Sequence, residues 1–106
     1  MAARLRIRKK ARADLRDIGR HTRQRWGREQ SNRYLGELDV CFHQLASTPS
    51  LGRVYAPAPS YRRYEQRAHV VFFRRETNGD VVIVRVLHRR MLPELHLGTK
   101  VDDERE

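Results

Sequence analysis

HVVFFRRETNGDVVIVRVLHRRM, residues 69–91, decides the fold. Two apolar runs, rich in β-branched and aromatic side chains, flank Thr77-Asn78-Gly79-Asp80. Asn-Gly between such runs is the strongest short-range hairpin signal, because both residues tolerate the positive φ that tight hairpin turns require. The second arm finishes in Arg85, His88, Arg89 and Arg90, a cationic tip. Those side chains fit two roles: the proton-transfer and phosphate-holding groups of a nuclease, or a contact surface without chemistry.

Strict alternation along residues 80–88, DVVIVRVLH, sets Val82, Val84 and Val86 on one face and Val81, Ile83 and Leu87 on the other. Both faces are then apolar except at Arg85. Helices cover only one face of such a sheet, so the other needs a cover of its own. A partner protein is one choice and the chain's own C-terminal segment folding back is the other.

Working back from the hairpin, YRRYEQ (residues 61–66) is a further strand, and LGRVYAPAPS (residues 51–60) reads as a loop by Gly52, Pro57 and Pro59. Before it the period becomes helical. Ser31, Leu35, Leu38, Phe42 and Leu45, widened by Tyr34 and Cys41, mark a helix from about Glu29 to Ala46, closed by Ser47-Thr48-Pro49. Ala11, Leu15, Ile18, Thr22 and Trp26 mark an earlier one, with Arg12, Arg16, Arg20 and Arg23 lining its opposite side. Trp26 reads as core, and Gly27 as a left-handed cap. The short link implies an antiparallel pair. ARLRIRKK (residues 3–10) alternates like a strand. The expectation is an α+β domain in the order β-α-α-β-β-β, a helical hairpin packed on one face of a mainly antiparallel sheet. Residues 1–97 form one domain, and residues 98–106, ending VDDERE, form a disordered acidic tail.

Composition narrows the function. No apolar run nears the ~18 residues that span a bilayer, and MAARLRIRKK lacks a signal-peptide apolar region. One cysteine, Cys41, excludes an internal disulfide and points to a reducing cytoplasm. Net charge is +10, from 23 basic minus 13 acidic residues, and residues 1–100 carry 22 minus 9, or +13. Such a body is drawn to nucleic acid or to an acidic protein. Twenty of the cations are arginine, so the excess also has a purely compositional reading. No helix offers base-reading side chains in a row, which makes direct nucleic-acid binding secondary.

Metal and cofactor chemistry find no support. His21, His43, His69, His88 and His96 include no pair at helix or hairpin ligand spacing, and Cys41 has no sulfur companion. Cys41 reads as a buried, inert thiol. Ser31, Ser47, Ser50 and Ser60 sit in cap or loop contexts. A ribonuclease set would be His88 for proton transfer, Arg85 or Arg62 on the phosphate and Glu65 as the carboxylate. Any basic hairpin offers such groups, so His88 reads as a strand-end residue hydrogen-bonded to backbone.

Two segments together resemble a known family. KKARADLRDIGRHTRQRWGREQSNRYLGEL, residues 9–38, resembles the helical hairpin of ParE-type toxins in the RelE/ParE superfamily. It has Ala-x-x-Asp-Leu-x-x-Ile at 11–18, Arg25-Trp26-Gly27 at the corner, and Tyr34 and Leu38 beyond. Residues 69–91 resemble the closing hairpin, with Val84-Arg85-Val86-Leu87-His88 and Met91 in order, and Gly52-Arg53 and Tyr61-Arg62 fall between as expected. The resemblance implies a growth-inhibiting, plasmid-stabilising toxin of a bacterial type II toxin–antitoxin system. A ParD-like antitoxin that folds across it would neutralise it. ParE members poison DNA gyrase, whereas RelE relatives cleave mRNA on the ribosome. This chain departs from the nuclease branch: its three lysines, Lys9, Lys10 and Lys100, lie away from the expected cleft, and no tyrosine follows His88. The expected gyrase surface is Arg85, His88, Arg89, Arg90 and Met91. The expected antitoxin surface is Leu5, Ile7, Tyr34, Leu38, Val71 and Phe73.

Overall fold

The computed structural model describes residues 4–97; the acidic tail expected at 98–106 lies outside the described residues. Strand β1 (Leu5–Ile7) leads into helix α1 (Lys9–Trp26) and helix α2 (Arg28–Ser47). Strands β2 (Arg53–Val54), β3 (Arg62–Gln66), β4 (His69–Arg75) and β5 (Val81–His88) follow. Strand β2 falls inside the segment read as loop. Two residues carry no periodicity, so hydrophobic pattern could not reveal it. Spatial order is β1-β5-β4-β3-β2, with β1 parallel to β5 and the other pairs antiparallel.

Gly27 makes the corner between the helices. Its N–H donates to the Arg23 carbonyl at 2.9 Å and its carbonyl accepts from Ser31 N–H at 3.1 Å, so one residue closes α1 and opens α2. At φ 97°, ψ 168° it lies at positive φ but outside the left-handed helical geometry expected of a cap. Ser31 is no cap. It is buried in the first turn of α2, where its hydroxyl donates to the Gly19 carbonyl of α1 at 3.0 Å.

Ala11 and Ile18 of α1 and Leu38, Phe42 and Leu45 of α2 pack on Val71, Phe73, Val81, Ile83 and Val86. Each fully buried Leu, Ile or Phe stabilises by about 1.5–3 kcal/mol relative to exposure. Leu38, Val71 and Phe73 are completely inaccessible here. Their expected role as an antitoxin surface is therefore corrected: the helical hairpin already occupies them.

The second face of the sheet is also closed. Tyr55, Tyr61, Val70, Phe72, Val84, Leu87 and Leu97 form a second core. The proline-containing loop that supplies the tyrosines is pinned by Tyr55 N–H to Tyr61 O (2.9 Å) and Tyr61 N–H to Ala58 O (2.9 Å). Neither cover expected from sequence is the main one: the proline-containing loop supplies most of it, and the C-terminal segment adds Leu97. No partner protein is needed to seal the sheet.

Alternation along β5 is broken, which corrects the facing deduced from a strict two-residue period. Ile83 pairs with Phe73 and Arg85 with Phe72, so Val84 is an extra residue opposite β4. A bulge of this kind reverses parity beyond it and re-aims neighbouring side chains. Val81, Ile83 and Val86 thus share the helical core while Val84 and Leu87 share the other. At the turn, Gly79 N–H donates to Glu76 O and Glu76 N–H to Asp80 O, which makes a three-residue loop with Gly79 at φ 95°.

Candidate functional site: the hairpin end and its groove

Arg85 stands beside the bulge, paired with Phe72 of β4. Its guanidinium is turned onto α1, where Nε donates to Asp14 Oδ2 at 2.7 Å and Nη2 to Oδ1 at 2.8 Å. Nη1 donates to the His96 carbonyl, and Val86 N–H donates to Asp14 Oδ2 at 2.9 Å. The side chains are only 16% and 12% exposed. The bond to Asp14 raises the Arg85 pKa against the opposing effect of burial. Arg85 is therefore a structural clamp between β5, α1 and the C-terminal segment. Both expected roles for it, gyrase contact and phosphate holder, are corrected, since every guanidinium nitrogen is engaged.

The ribonuclease set does not assemble. Arg62 donates to the Gly52 carbonyl at 3.0 Å, and it pairs with Phe73, four residues along β4 from His69. At ~3.3 Å per residue that is about 13 Å from the His69–His88 pair. Glu65 pairs with Val70 and bonds Arg63 at 3.2 Å. Val70 belongs to the second core, so Glu65 faces away from His88. His88 accepts Arg90 N–H on Nδ1 at 3.2 Å, the backbone role expected of a strand-end residue.

The structure does bring together residues that sequence spacing missed. His69 lies directly across from His88, with ring centroids 5.4 Å apart. Tyr34 of α2 places its hydroxyl 2.6 Å from His69 Nδ1 and 3.2 Å from the Gln66 carbonyl. With one phenolic proton, both contacts are met when Tyr34 donates to Gln66 and His69 Nδ1–H donates to Tyr34. The signal was available. Counting outward from Asn78-Gly79 as a two-residue turn also sets His69 against His88. Among the described residues no group of three His, Cys, Asp or Glu is arranged to hold a metal. Cys41 is buried, which pushes its thiol up to about 11.

Tyr34, His69 and His88 line an open groove of about 980 Å³ between the helices and the end of the hairpin. Trp26, read as core, is instead 62% exposed at its edge, with the Arg25 guanidinium 5.6 Å from its ring centroid. It lies beyond Gly19, the last buried residue of α1. Arg33, Arg67, Arg89 and Arg90 also border the groove, and Glu37 holds Arg67 at 2.9 Å. The hairpin end is fixed by Arg89 N–H to Ala68 O (2.9 Å) and Met91 N–H to His88 O (2.8 Å). Arg89, Arg90 and Met91 are exposed, and His88 is half-buried beneath them.

Burial, then the neighbouring His88 and His21, push the His69 pKa down to about 4, with Asp14 opposing. The unfolded chain takes up this proton below ~6.5. Between those values the unfolded state binds more protons, so His69 removes stability as pH falls through the window. Because His69 keeps some exposure, we expect His69→Gln to lose about 1–2 kcal/mol less than the parent between pH 7 and pH 4 in urea unfolding. Equal losses would contradict a neutral, buried imidazole.

The fold is similar to that of two solved structures. The chromosomal ParDE TA system from P. aeruginosa matches with TM-score 0.73 and 22% identity, over 82% of this chain and 96% of that one. The toxin–antitoxin complex RelBE2 from Mycobacterium tuberculosis matches with TM-score 0.60 and 21% identity, over 86% and 95%. The fold is thus of the RelE/ParE class. Sequence carries the assignment further. Residues 5–93 match the family model of the ParE toxin of the type II toxin–antitoxin system parDE. Toxin ParE1 of Caulobacter vibrioides is 39% identical over 94 residues, 88% of this chain and 96% of that protein. Toxin ParE1 of M. tuberculosis H37Rv is 36% identical over 92 residues, 86% and 94%. The chain belongs to the ParE family of toxins of type II toxin–antitoxin systems.

Proposed function

We propose that this toxin arrests bacterial growth in the cytoplasm by binding DNA gyrase through the exposed end of its β-hairpin, Arg89, Arg90 and Met91, with the half-buried His88 contributing little. The observation that carries the reading is an exposed arginine-rich end, held by backbone hydrogen bonds, at which the ribonuclease set expected from sequence does not assemble: Arg85 is spent on Asp14, and Arg62 and Glu65 lie elsewhere. Arginine beside exposed apolar side chains is the composition of binding hot spots. Met91, Leu92 and Leu95 are exposed next to Arg89 and Arg90. Neutralisation by a ParD-like antitoxin that folds on binding fits the adjoining groove. Its apolar walls, Trp26 and Tyr34, lie between arginines that attract an acidic segment. An occupant would cover Arg89, Arg90 and Met91 as well, since they line the same groove. Half-buried Leu5 and Ile7, on the edge strand β1, offer a further margin.

The double variant Arg89→Ala/Arg90→Ala touches no core residue. We expect it to melt like the parent and to lose growth arrest on induction. His88→Ala should keep most of the arrest, whereas a nuclease would lose a step worth ~10²–10⁴-fold. Full toxicity of the double variant, or collapse of toxicity in His88→Ala alone, counts against the proposal.

A further inference from the structure

The arginines of α1 remain unexplained by a contact at the hairpin end. Arg12, Arg16, Arg20 and Arg23 are all exposed. At 3.6 residues per turn they fall within a sector of about 80°, roughly opposite the groove side of the helix marked by Asp14, Ile18 and His21. They extend over about 16 Å of helix at 1.5 Å per residue. The acids of α1 are Asp14 and Asp17. Asp14 is consumed by Arg85, and Asp17 meets Arg20 at 3.5 Å with both side chains about 70% exposed (72% and 69%). Arg12 gives one nitrogen to the Ile7 carbonyl and keeps the rest of its fork. No ion pair is formed by Arg16 or Arg23 among the described residues.

We infer that this face binds the phosphate backbone of duplex DNA, without reading sequence, while the hairpin end engages protein. A straight cationic ridge matches a linear polyanion, which presents one charge per ~1.7 Å of duplex axis. Arginine's planar fork holds phosphate in two-point contact, as lysine does not. The ridge lacks apolar side chains between its arginines, which sets it apart from a membrane-surface helix with its buried apolar face. The choice of DNA over another polyanion rests on the gyrase reading, because that target works while holding DNA. The ridge and the hairpin end lie on different sides of α1, so one toxin molecule can touch enzyme and DNA at once.

The test is fluorescence anisotropy with a labelled 30-base-pair duplex of mixed sequence and the full toxin, titrated between 50 and 200 mM salt. Four phosphate contacts predict a log–log slope near −3.6 and about a 150-fold loss of affinity over that range. Arg16→Gln/Arg23→Gln should flatten the slope by about 2 and weaken binding at least tenfold at 50 mM salt, while melting like the parent. Arg89→Ala/Arg90→Ala should leave the slope near the parent value. Unchanged affinity and slope in Arg16→Gln/Arg23→Gln overturns the inference. So does toxin that ignores the duplex but binds vesicles of phosphatidylserine and phosphatidylcholine, or that prefers a double-stranded RNA of equal length. The gyrase reading is judged separately, by supercoiling: a toxin that binds duplex through α1 yet leaves gyrase untouched removes that reading and keeps this surface.

Discussion

Asp14→Ala is expected to lose about 3 kcal/mol of folding stability, read as a lower midpoint in urea or heat. The substitution removes both charge-assisted bonds to Arg85 and the acceptor of Val86 N–H. It leaves a guanidinium that cannot shed its proton in a site only 16% exposed. Breaking a buried pair from one side costs about 3–5 kcal/mol, and the remaining bond to His96 and the partial exposure place this case at the low end. A domain of this size holds only about 5–15 kcal/mol in total, so the variant should be partly unfolded well below the parent's melting temperature. Arg85→Ala should lose less, since Asp14 keeps Val86 N–H as a charge-assisted partner, whereas Arg85 without Asp14 keeps only the His96 carbonyl. If both single variants melt with the parent, the clamp is no structural element, and Arg85 returns as a free surface group.

Gly52→Ala has the other large effect, and the reason is space. Gly52 has φ −86°, which any residue adopts. A Cβ there would sit 2.4 Å from Phe73 Cζ and 2.5 Å from Cε1, with Arg63 O at 3.2 Å. The Phe73 ring is completely buried among core residues and cannot swing away. Overpacking of this severity costs about 1–3 kcal/mol or more, and we expect about 3 kcal/mol with loss of the β2–β3 pairing. Gly36 supplies the control. It lies in α2 with nothing within 4 Å of an added Cβ, so Gly36→Ala should stabilise by about 0.8 kcal/mol through helix propensity. A Gly52→Ala protein as stable as the parent would contradict the packing described.

These residues also show what the sequence revealed and what it hid. The helical stripes, the Asn-Gly hairpin and the order of the long elements were readable, because each repeats a period over enough residues to be seen. Thr22, read on the apolar stripe, stays there by bonding its hydroxyl to the Ile18 carbonyl one turn back. Apart from the two-residue strand β2, what was missed depends on one residue breaking a period or on packing between distant segments. The Val84 bulge reverses parity within β5, so alternation set Leu87 beside Ile83 when it belongs with Val84. Asp14 stood within the resembling Ala-x-x-Asp-Leu pattern, yet its partner lies 71 residues away. The tyrosines of the proline loop gave no strand or helix pattern, although they close the second face. Trp26 continued the apolar stripe, but no buried residue of α1 lies beyond Gly19, and Trp26 is left exposed.

Whether the hairpin end grasps gyrase is measured directly with purified gyrase, relaxed plasmid and ATP at increasing toxin. Supercoiling is expected to stop and cleaved DNA to accumulate; Arg89→Ala/Arg90→Ala should abolish both effects, and His88→Ala should largely preserve them. Supercoiling at the uninhibited rate with excess folded toxin, accompanied by mRNA cleavage on added ribosomes, would contradict it.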